Sequence, residues 1–479
     1  MIPMLMKIIL SIVFLATGHA LTFYSTVRKR INNNIHTLRS IKISDDLLSP
    51  RLNGLDRPTV WHEFSPLATE HGAVNLGQGF PDWDPPEFVI EAMARATDPL
   101  YKRHANQYAR SYAHLPLANV LAEDYSERWK REIDPTTMIG TAVGCTNALF
   151  CSLQGLLAPG DEVLLLEPAF DIYYAQVQMA GGKAVYCPLR PTGDSTMDAS
   201  AHFTLDMSEL ESCITPSTKV LLLNTPHNPT GKVFSSDELS QIASILQRHP
   251  RVKVISDEVY EHLVFEEGQP HISMATIPNM WERTLTLSST GKSFSCTGWK
   301  VGWAIGPPDL VKAMTAVQQW CNFSAPTPNQ DAIALSLQFA RKPYKGFDSY
   351  YKYFLEDYRR KRKLLMNALT SAGMKPICPP GGFFIMADTS DVDFPYDPTE
   401  KTVAMPCDPM PRDWSLSRWM TQKVGVTAIP PSAFYSTPNI PMAKNLLRFA
   451  FCKGDETILE AHRRLEDHFG GSKRGNSVT

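Results

Sequence analysis

The side chains best equipped for chemistry lie just after four short apolar runs. Lys292 follows 284–288 in Ser289-Thr-Gly-Lys292-Ser-Phe-Ser-Cys-Thr-Gly-Trp-Lys300. Asp257-Glu-Val-Tyr260 follows 252–256, Asn228 stands in Thr-Pro-His-Asn228-Pro-Thr-Gly-Lys after 219–224, and Pro-Ala-Phe170-Asp follows 162–167. If each run is a strand of one open α/β sheet, residues beyond the carboxyl ends converge on a single crevice. A carboxylate, an amide, a phenol, an aromatic face, hydroxyls and two lysines would then share one site. That set suits an electron-poor heteroaromatic phosphate ester better than a nucleotide or a metal. A nucleotide phosphate loop is excluded, because Thr286 stands five positions before Gly291, where such a loop needs glycine. Gly77-x-Gly79 lacks the third glycine of a dinucleotide fingerprint and reads as a turn, with Gly79 a candidate ligand contact.

The elements that must position these groups are legible from periodicity. Runs 162–167, 219–224, 252–256 and 284–288 are short and rich in Val, Leu and Ile, as expected of strands buried on both faces of a mostly parallel sheet. Helical patterns lie between them, such as 236–248, which opens on Ser-Asp-Glu. A charged helix is expected over 350–369, strands over 381–386, 426–429 and 446–451, and an exposed loop in the Pro-rich stretch 395–411. Alternation of this kind gives an α/β fold, a large mostly parallel-sheet domain with helices on both faces plus a smaller α+β domain. The large domain is placed at 89–341, the C-terminal small domain at 342–479, and an N-terminal arm that completes the small domain at 45–88.

Asn-Thr-Pro-His-Asn228-Pro-Thr-Gly-Lys, Ser-Asp257-Glu-Val-Tyr260 and Ser289-Thr-Gly-Lys292 through Lys300 together resemble the motifs of fold-type-I, class I/II aminotransferases, in the same order and across 56–469. Asn75-Leu-Gly-Gln-Gly79-Phe-Pro-Asp, Thr297-Gly-Trp-Lys-Val-Gly-Trp303 and Ala428 to Ser436 most resemble the kynurenine aminotransferases, also called glutamine transaminase K or cysteine-S-conjugate β-lyase. The resemblance implies pyridoxal 5′-phosphate as cofactor and Lys292 as its Schiff-base and proton-transfer lysine. It implies Asp257 on the pyridinium nitrogen, Tyr260 and Asn228 on the ring oxygen, and Phe170 on the ring face. Cys145, Thr146, Ser289 and Lys300 would hold the phosphate, the first two at a helix N-terminus. Arg448 would clamp the substrate carboxylate, with Gly79, Trp61, Asn228 and Phe323 lining the substrate pocket. Tyr108 and Phe323 would come from the partner subunit of a homodimer. Two positions depart from the animal relatives: Gly144-Cys-Thr-Asn replaces a Gly-Gly-Tyr-Gly loop, and Ser324 replaces a frequent His. The implied reaction is ping-pong transamination of a large neutral or aromatic amino acid (kynurenine, glutamine, phenylalanine or methionine) with a 2-oxo acid. The alternatives are a β-lyase acting on cysteine S-conjugates and a non-catalytic, cofactor-sensing regulator.

Bulk properties are those of an ordinary soluble globular protein. The 479 residues allow more than one core. A formal charge of −2 gives no electrostatic footprint for nucleic acid or an anionic membrane. The nine cysteines contain no C-x-x-C pair, which argues against a zinc site or a disulfide framework. The first 44 residues read as a targeting segment or disordered extension: an apolar run over 8–16, too short for a confident span, then a basic stretch with no acid before Asp45. That pattern fits a mitochondrial or other organelle transit segment, or a secretory signal. The sequon Asn322-Phe323-Ser324, at a position assigned to the active site, speaks against the secretory route.

Overall fold

The computed structural model describes residues 47–101, 106–192, 202–266, 270–402, 404–405 and 409–470. The expected targeting segment lies outside them. The chain divides into two units at Gly54 and Leu55. In the first, the described residues form one 3₁₀ turn, Pro50–Leu52, capped by the Ser49 hydroxyl. The second, Leu55–Thr479, carries the sheets.

Its strands are β1 Val74–Asn75, β2 Ile139–Val143, β3 Glu162–Glu167, β4 Lys183–Thr192, β5 His202–Leu205, β6 Thr218–Asn224, β7 Lys253–Asp257, β8 Thr284–Ser289, β9 Val301–Ile305, β10 Lys375–Ile377, β11 Phe384–Asp388, β12 Val426–Thr427 and β13 Leu446–Ala450. Eight of them form one sheet in the order β2-β9-β8-β7-β6-β3-β4-β5. Pairs β4/β3, β3/β6, β6/β7 and β7/β8 are parallel, while β9 runs antiparallel to both neighbours and β5 antiparallel to β4. The α/β reading holds, and the four expected strands are β3, β6, β7 and β8.

Continuous apolar runs are required because both faces are covered. Val163, Leu165, Val220, Leu222 and Ile255 pack on one side with Leu149, Leu153, Leu310 and Met314, from helices Cys145–Leu156 and Pro308–Asn322. Their neighbours Leu164, Leu166, Leu221, Leu223 and Val254 pack on the other with Leu239, Ile242 and Leu246 of helix Ser236–Gln247. Alternate residues face opposite layers, as the pleat demands. That helix starts with a capping box, Ser235 accepting from Glu238 N–H and Glu238 accepting from Ser235 N–H.

Beyond the sheet, helix Tyr350–Ser371 leads to an antiparallel sheet β10-β11-β13. The N-terminal strand β1 pairs in parallel with β12, Val74 opposite Val426. Two expected strands begin or end elsewhere than the periodicity suggests. β11 starts at Phe384 because Gly381 and Gly382 make a turn pressed on the large sheet's loops; Gly382 has φ +69° and a Cβ on Gly381 would lie 2.5 Å from Val233. The 426–429 run contributes only Val426 and Thr427 to a strand, and Ile429 instead bridges Arg448. Among the described residues, no helix is long and apolar enough to cross a membrane.

One contact between β9 and the helix that starts at Cys145 is testable. A Cβ on Gly302 would stand 2.4 Å from the Cys145 backbone nitrogen. Gly302→Ala is therefore expected to destabilise the protein by about 1–3 kcal/mol through overpacking. Gly298→Ala, where no atom lies within 4 Å of the added carbon, is the control. Thermal unfolding of the two variants checks this, and equal midpoints would refute it.

Candidate active site

The carboxyl ends of β6, β7 and β8 open on one cavity of about 300 Å³. Its lining includes Trp61, Gly79, Cys145, Thr146, Phe170, Asn228, Asp257, Tyr260, Ser289, Lys292, Lys300 and Arg448. Tyr108 and Phe323 are not in that lining. They lie at the surface, 83% and 50% exposed, with ring centres 5.1 Å apart.

Asp257 ends β7 and is buried. Tyr173 donates its phenol to Asp257 Oδ2 at 2.8 Å, and Val259 N–H reaches Oδ1 at 3.3 Å. Burial raises the Asp257 pKa, which these hydrogen bonds counter. Such a carboxylate gains from a cationic partner in the cavity. Asn224 ties the neighbouring strand ends together: its amide donates to the Asp257 carbonyl at 2.9 Å and its oxygen accepts from Asn228 N–H at 2.7 Å.

Lys292 lies three residues beyond β8, and its Nζ donates to the Gly79 carbonyl at 2.7 Å. Its pKa is lowered from the ordinary lysine value, by burial first and by the Arg448 and Lys300 charges, against the opposing pull of Asp257. Gly79 is needed for closeness, since a Cβ there would sit 2.4 Å from the Phe384 ring.

Helix Cys145–Leu156 begins at the cavity, with Gly144 at φ +80° as its N-cap. A Cβ on Gly144 would lie 3.2 Å from the Lys300 Nζ, so the lysine reaches directly over the turn. Lys300 itself has φ +56°, a left-handed conformation uncommon for a side chain of its size. The helix N-terminus, Lys300 and Ser289 line the same cavity and are of the types that attract an anion.

Arg448, in the middle of β13, is 1% exposed. Nη1 donates to Asn228 Oδ1 at 3.0 Å and Nη2 to the Gly77 carbonyl at 2.6 Å, whereas Nε is buried without a partner. Three rings surround the guanidinium, Phe384 at 4.2 Å, Phe434 at 5.0 Å and Trp61 at 5.4 Å. Burial lowers its pKa to about 10.

Sequence reasoning missed Tyr173, Asn224 and Phe384. Tyr173 lies three residues after Phe170, on the helix that leaves β3, and that spacing was its available signal. Asn224, as the last residue of a strand already found, was also accessible. Phe384 had none, because its role depends on β11 pairing with β13. Among the described residues no cluster of His, Cys, Asp and Glu could hold a metal ion.

Charges along the cavity are three cations, Lys292, Lys300 and Arg448, against one carboxylate, Asp257. A ligand with a phosphate, a second anionic group and a protonatable ring nitrogen satisfies all four, so the residues fit a pyridoxal-phosphate-type cofactor together with an amino acid.

Comparison with known proteins agrees with this geometry. The family described as Aminotransferase class I and II matches residues 71–465. Kynurenine–oxoglutarate transaminase of Dictyostelium discoideum is 42% identical over 415 residues, 85% of this chain and 93% of that protein. Human kynurenine–oxoglutarate transaminase 1 is 41% identical over 430 residues, 88% of this chain and 98% of that protein. The structure of N-succinyldiaminopimelate aminotransferase from Mycobacterium tuberculosis superposes with a TM-score of 0.77 at 37% identity, covering 88% of this chain and 99% of that one. With β-strand order, cavity and relatives in agreement, the chain belongs to the class I and II aminotransferases, enzymes that use pyridoxal 5′-phosphate to move an amino group between amino and oxo acids.

Proposed function

We propose that the preferred donors are large neutral or aromatic amino acids of the kynurenine, glutamine, phenylalanine and methionine class, and that a homodimer with shared sites is the active form. The observation that carries the substrate reading is Arg448: a buried guanidinium with an orphaned Nε, ringed by Trp61, Phe384 and Phe434, in the same cavity as Lys292. A buried cation of this kind is satisfied by a carboxylate. Trp61 and Phe384, which line the cavity, present apolar faces to a side chain, and the relatives' names as kynurenine transaminases support the same class.

Each residue has a role in this reading. The cofactor supplies a carbonyl that takes the amino group and a ring that accepts the electron pair left when the Cα proton departs. Asp257 keeps the ring nitrogen protonated, and Tyr173 keeps Asp257 in place. Tyr260 and Asn228 donate to the ring oxygen, and Phe170 covers the ring face. Cys145 and Thr146 amides, the Ser289 hydroxyl and Lys300 bind the phosphate. Arg448 would orient the substrate carboxylate, and Lys292 Nζ would take the Cα proton and return it to the cofactor's carbonyl carbon, on the far side of the transferred nitrogen. A lysine does this only when unprotonated, which its burial among other cations favours. Tyr108 and Phe323 reach the site of the partner subunit; both lie at the surface of the single chain, as that role requires.

Three outcomes are expected. Adding phenylalanine, kynurenine or glutamine without an oxo acid to the holoenzyme should abolish the visible band of the lysine-bound cofactor, stably. Lys292→Ala should show no such band even with added cofactor. Pyruvate and ammonia released from a cysteine conjugate while the band persists would instead favour the lyase reading. Second, the rate at which apoenzyme takes up cofactor should rise with pH as Lys292 loses its proton. Because its folded pKa is lowered, the midpoint of the rise should lie below the ordinary lysine value of about 10.4. A rise only near that value would contradict it. Third, mixing Lys292→Ala with Tyr108→Ala protein should restore about a quarter of wild-type activity, since half of random dimers hold one intact shared site. No recovery, with dimers present by sedimentation, would refute shared sites.

A further inference from the structure

Trp61 borders the cavity beside Arg448, and its position is set from behind. The indole Nε1 donates to Asp171 Oδ2 at 2.8 Å, across 110 residues of sequence. Asp171 follows Phe170 directly and opens helix Asp171–Met179; burial raises its pKa, countered by the Trp61 hydrogen bond, the Arg448 charge and the helix N-terminus. Its second oxygen, Oδ1, is buried without a hydrogen-bond partner. Asp171 and Arg448 lie close enough to attract each other, and Asp171 also acts on Tyr174, which Arg57 faces as well. Trp61 in turn packs on Phe434, ring centres 6.3 Å apart, and its ring faces the Arg448 guanidinium. The carboxylate therefore stands behind the aromatic wall that it holds and near the Arg448 cation.

Two consequences follow. An indole held by a buried hydrogen bond is pre-organised, so a large side chain binds without first ordering its wall. A negative charge behind that wall opposes a second carboxylate on the substrate, because a low-dielectric surround screens it weakly. We propose that Asp171 is a positioning and selectivity residue for transamination: it pins Trp61 as the wall of the side-chain pocket and disfavours donors whose side chain ends in a carboxylate. This inference rests on the substrate reading of the cavity given above.

The test is steady-state kinetics on holoenzyme with phenylalanine and with glutamate, for wild type, Asp171→Asn, Asp171→Leu and Trp61→Phe, each with its visible spectrum. Asparagine can still accept from the indole but carries no charge. It should leave KM for phenylalanine within about twofold and raise kcat/KM for glutamate about five- to tenfold. Leucine removes charge and acceptor. It should also raise KM for phenylalanine about fivefold, with kcat within about twofold and the cofactor band retained. Trp61→Phe should reproduce the KM rise without the gain for glutamate. An unchanged KM in Asp171→Leu, no gain for glutamate in Asp171→Asn, or loss of the cofactor band with equal losses for both donors would overturn the proposal. A wild-type enzyme that responds to glutamate but to no large donor would overturn the substrate reading first, and this inference with it.

Discussion

Positive charge held away from water is the constraint on which this structure turns. Lys292 and Arg448 are the cations so held: burial lowers the pKa of both, and they share one cavity with the more exposed Lys300 and with Asp257 as the counter-charge within it. Desolvated cations are costly unless paired. The protein offsets that cost in part, with the Gly79 and Gly77 carbonyls, Asn228 and three aromatic rings. The remainder is available to anionic ligands entering the cavity. Burial first, and the Arg448 charge after it, lower the Lys292 pKa, so this lysine gives up its proton more readily than an exposed one.

Delivering these groups to one place requires two parts of the chain that are far apart in sequence. Parallel strands β6, β7 and β8 bring Asn228, Asp257 and Lys292 to the same edge, because residues after parallel strands emerge on one side of a sheet. Arg448 arrives on β13 of a different sheet, 220 residues after Asn228, and bonds to it. The segment 77–79 is threaded between, contributing carbonyl oxygens to both Arg448 and Lys292. Glycine at 79 permits this approach, as any side chain would meet Phe384. Elsewhere, Glu167 at the end of β3 accepts from Ser436 N–H and from the Ser436 and Asn439 side chains, anchoring the turn that carries Phe434 under Arg448.

Local pattern carried most of the fold. Strands buried on both faces announce themselves as unbroken Val, Leu and Ile, and helix Ser236–Gln247 announces its start through Ser235 and Glu238. The strands of the smaller sheets were harder. Gly381 and Gly382 extend an apolar run that looks like strand, yet contact with Val233 and Pro226 turns it aside, and the run at 426–429 divides its partners between β1 and Arg448. Neither contact has a signature within the segment itself.

Residue type and spacing alone singled out Lys292, Asp257, Asn228, Tyr260 and Arg448, the first four at or just beyond strand ends and Arg448 within an apolar strand, and all five line one cavity. Only the tertiary structure decided how those groups are tuned. Tyr173 bonding Asp257, Asp171 holding Trp61, Asn228 meeting Arg448 and the lowered pKa of Lys292 all arise from contacts across tens to hundreds of residues. The surface position of Tyr108 and Phe323, away from the cavity of their own chain, was likewise decided there. The reason is physical. Periodicity and turn chemistry act within a few residues and are written locally, whereas desolvation and hydrogen-bond partnership depend on what the folded chain brings alongside.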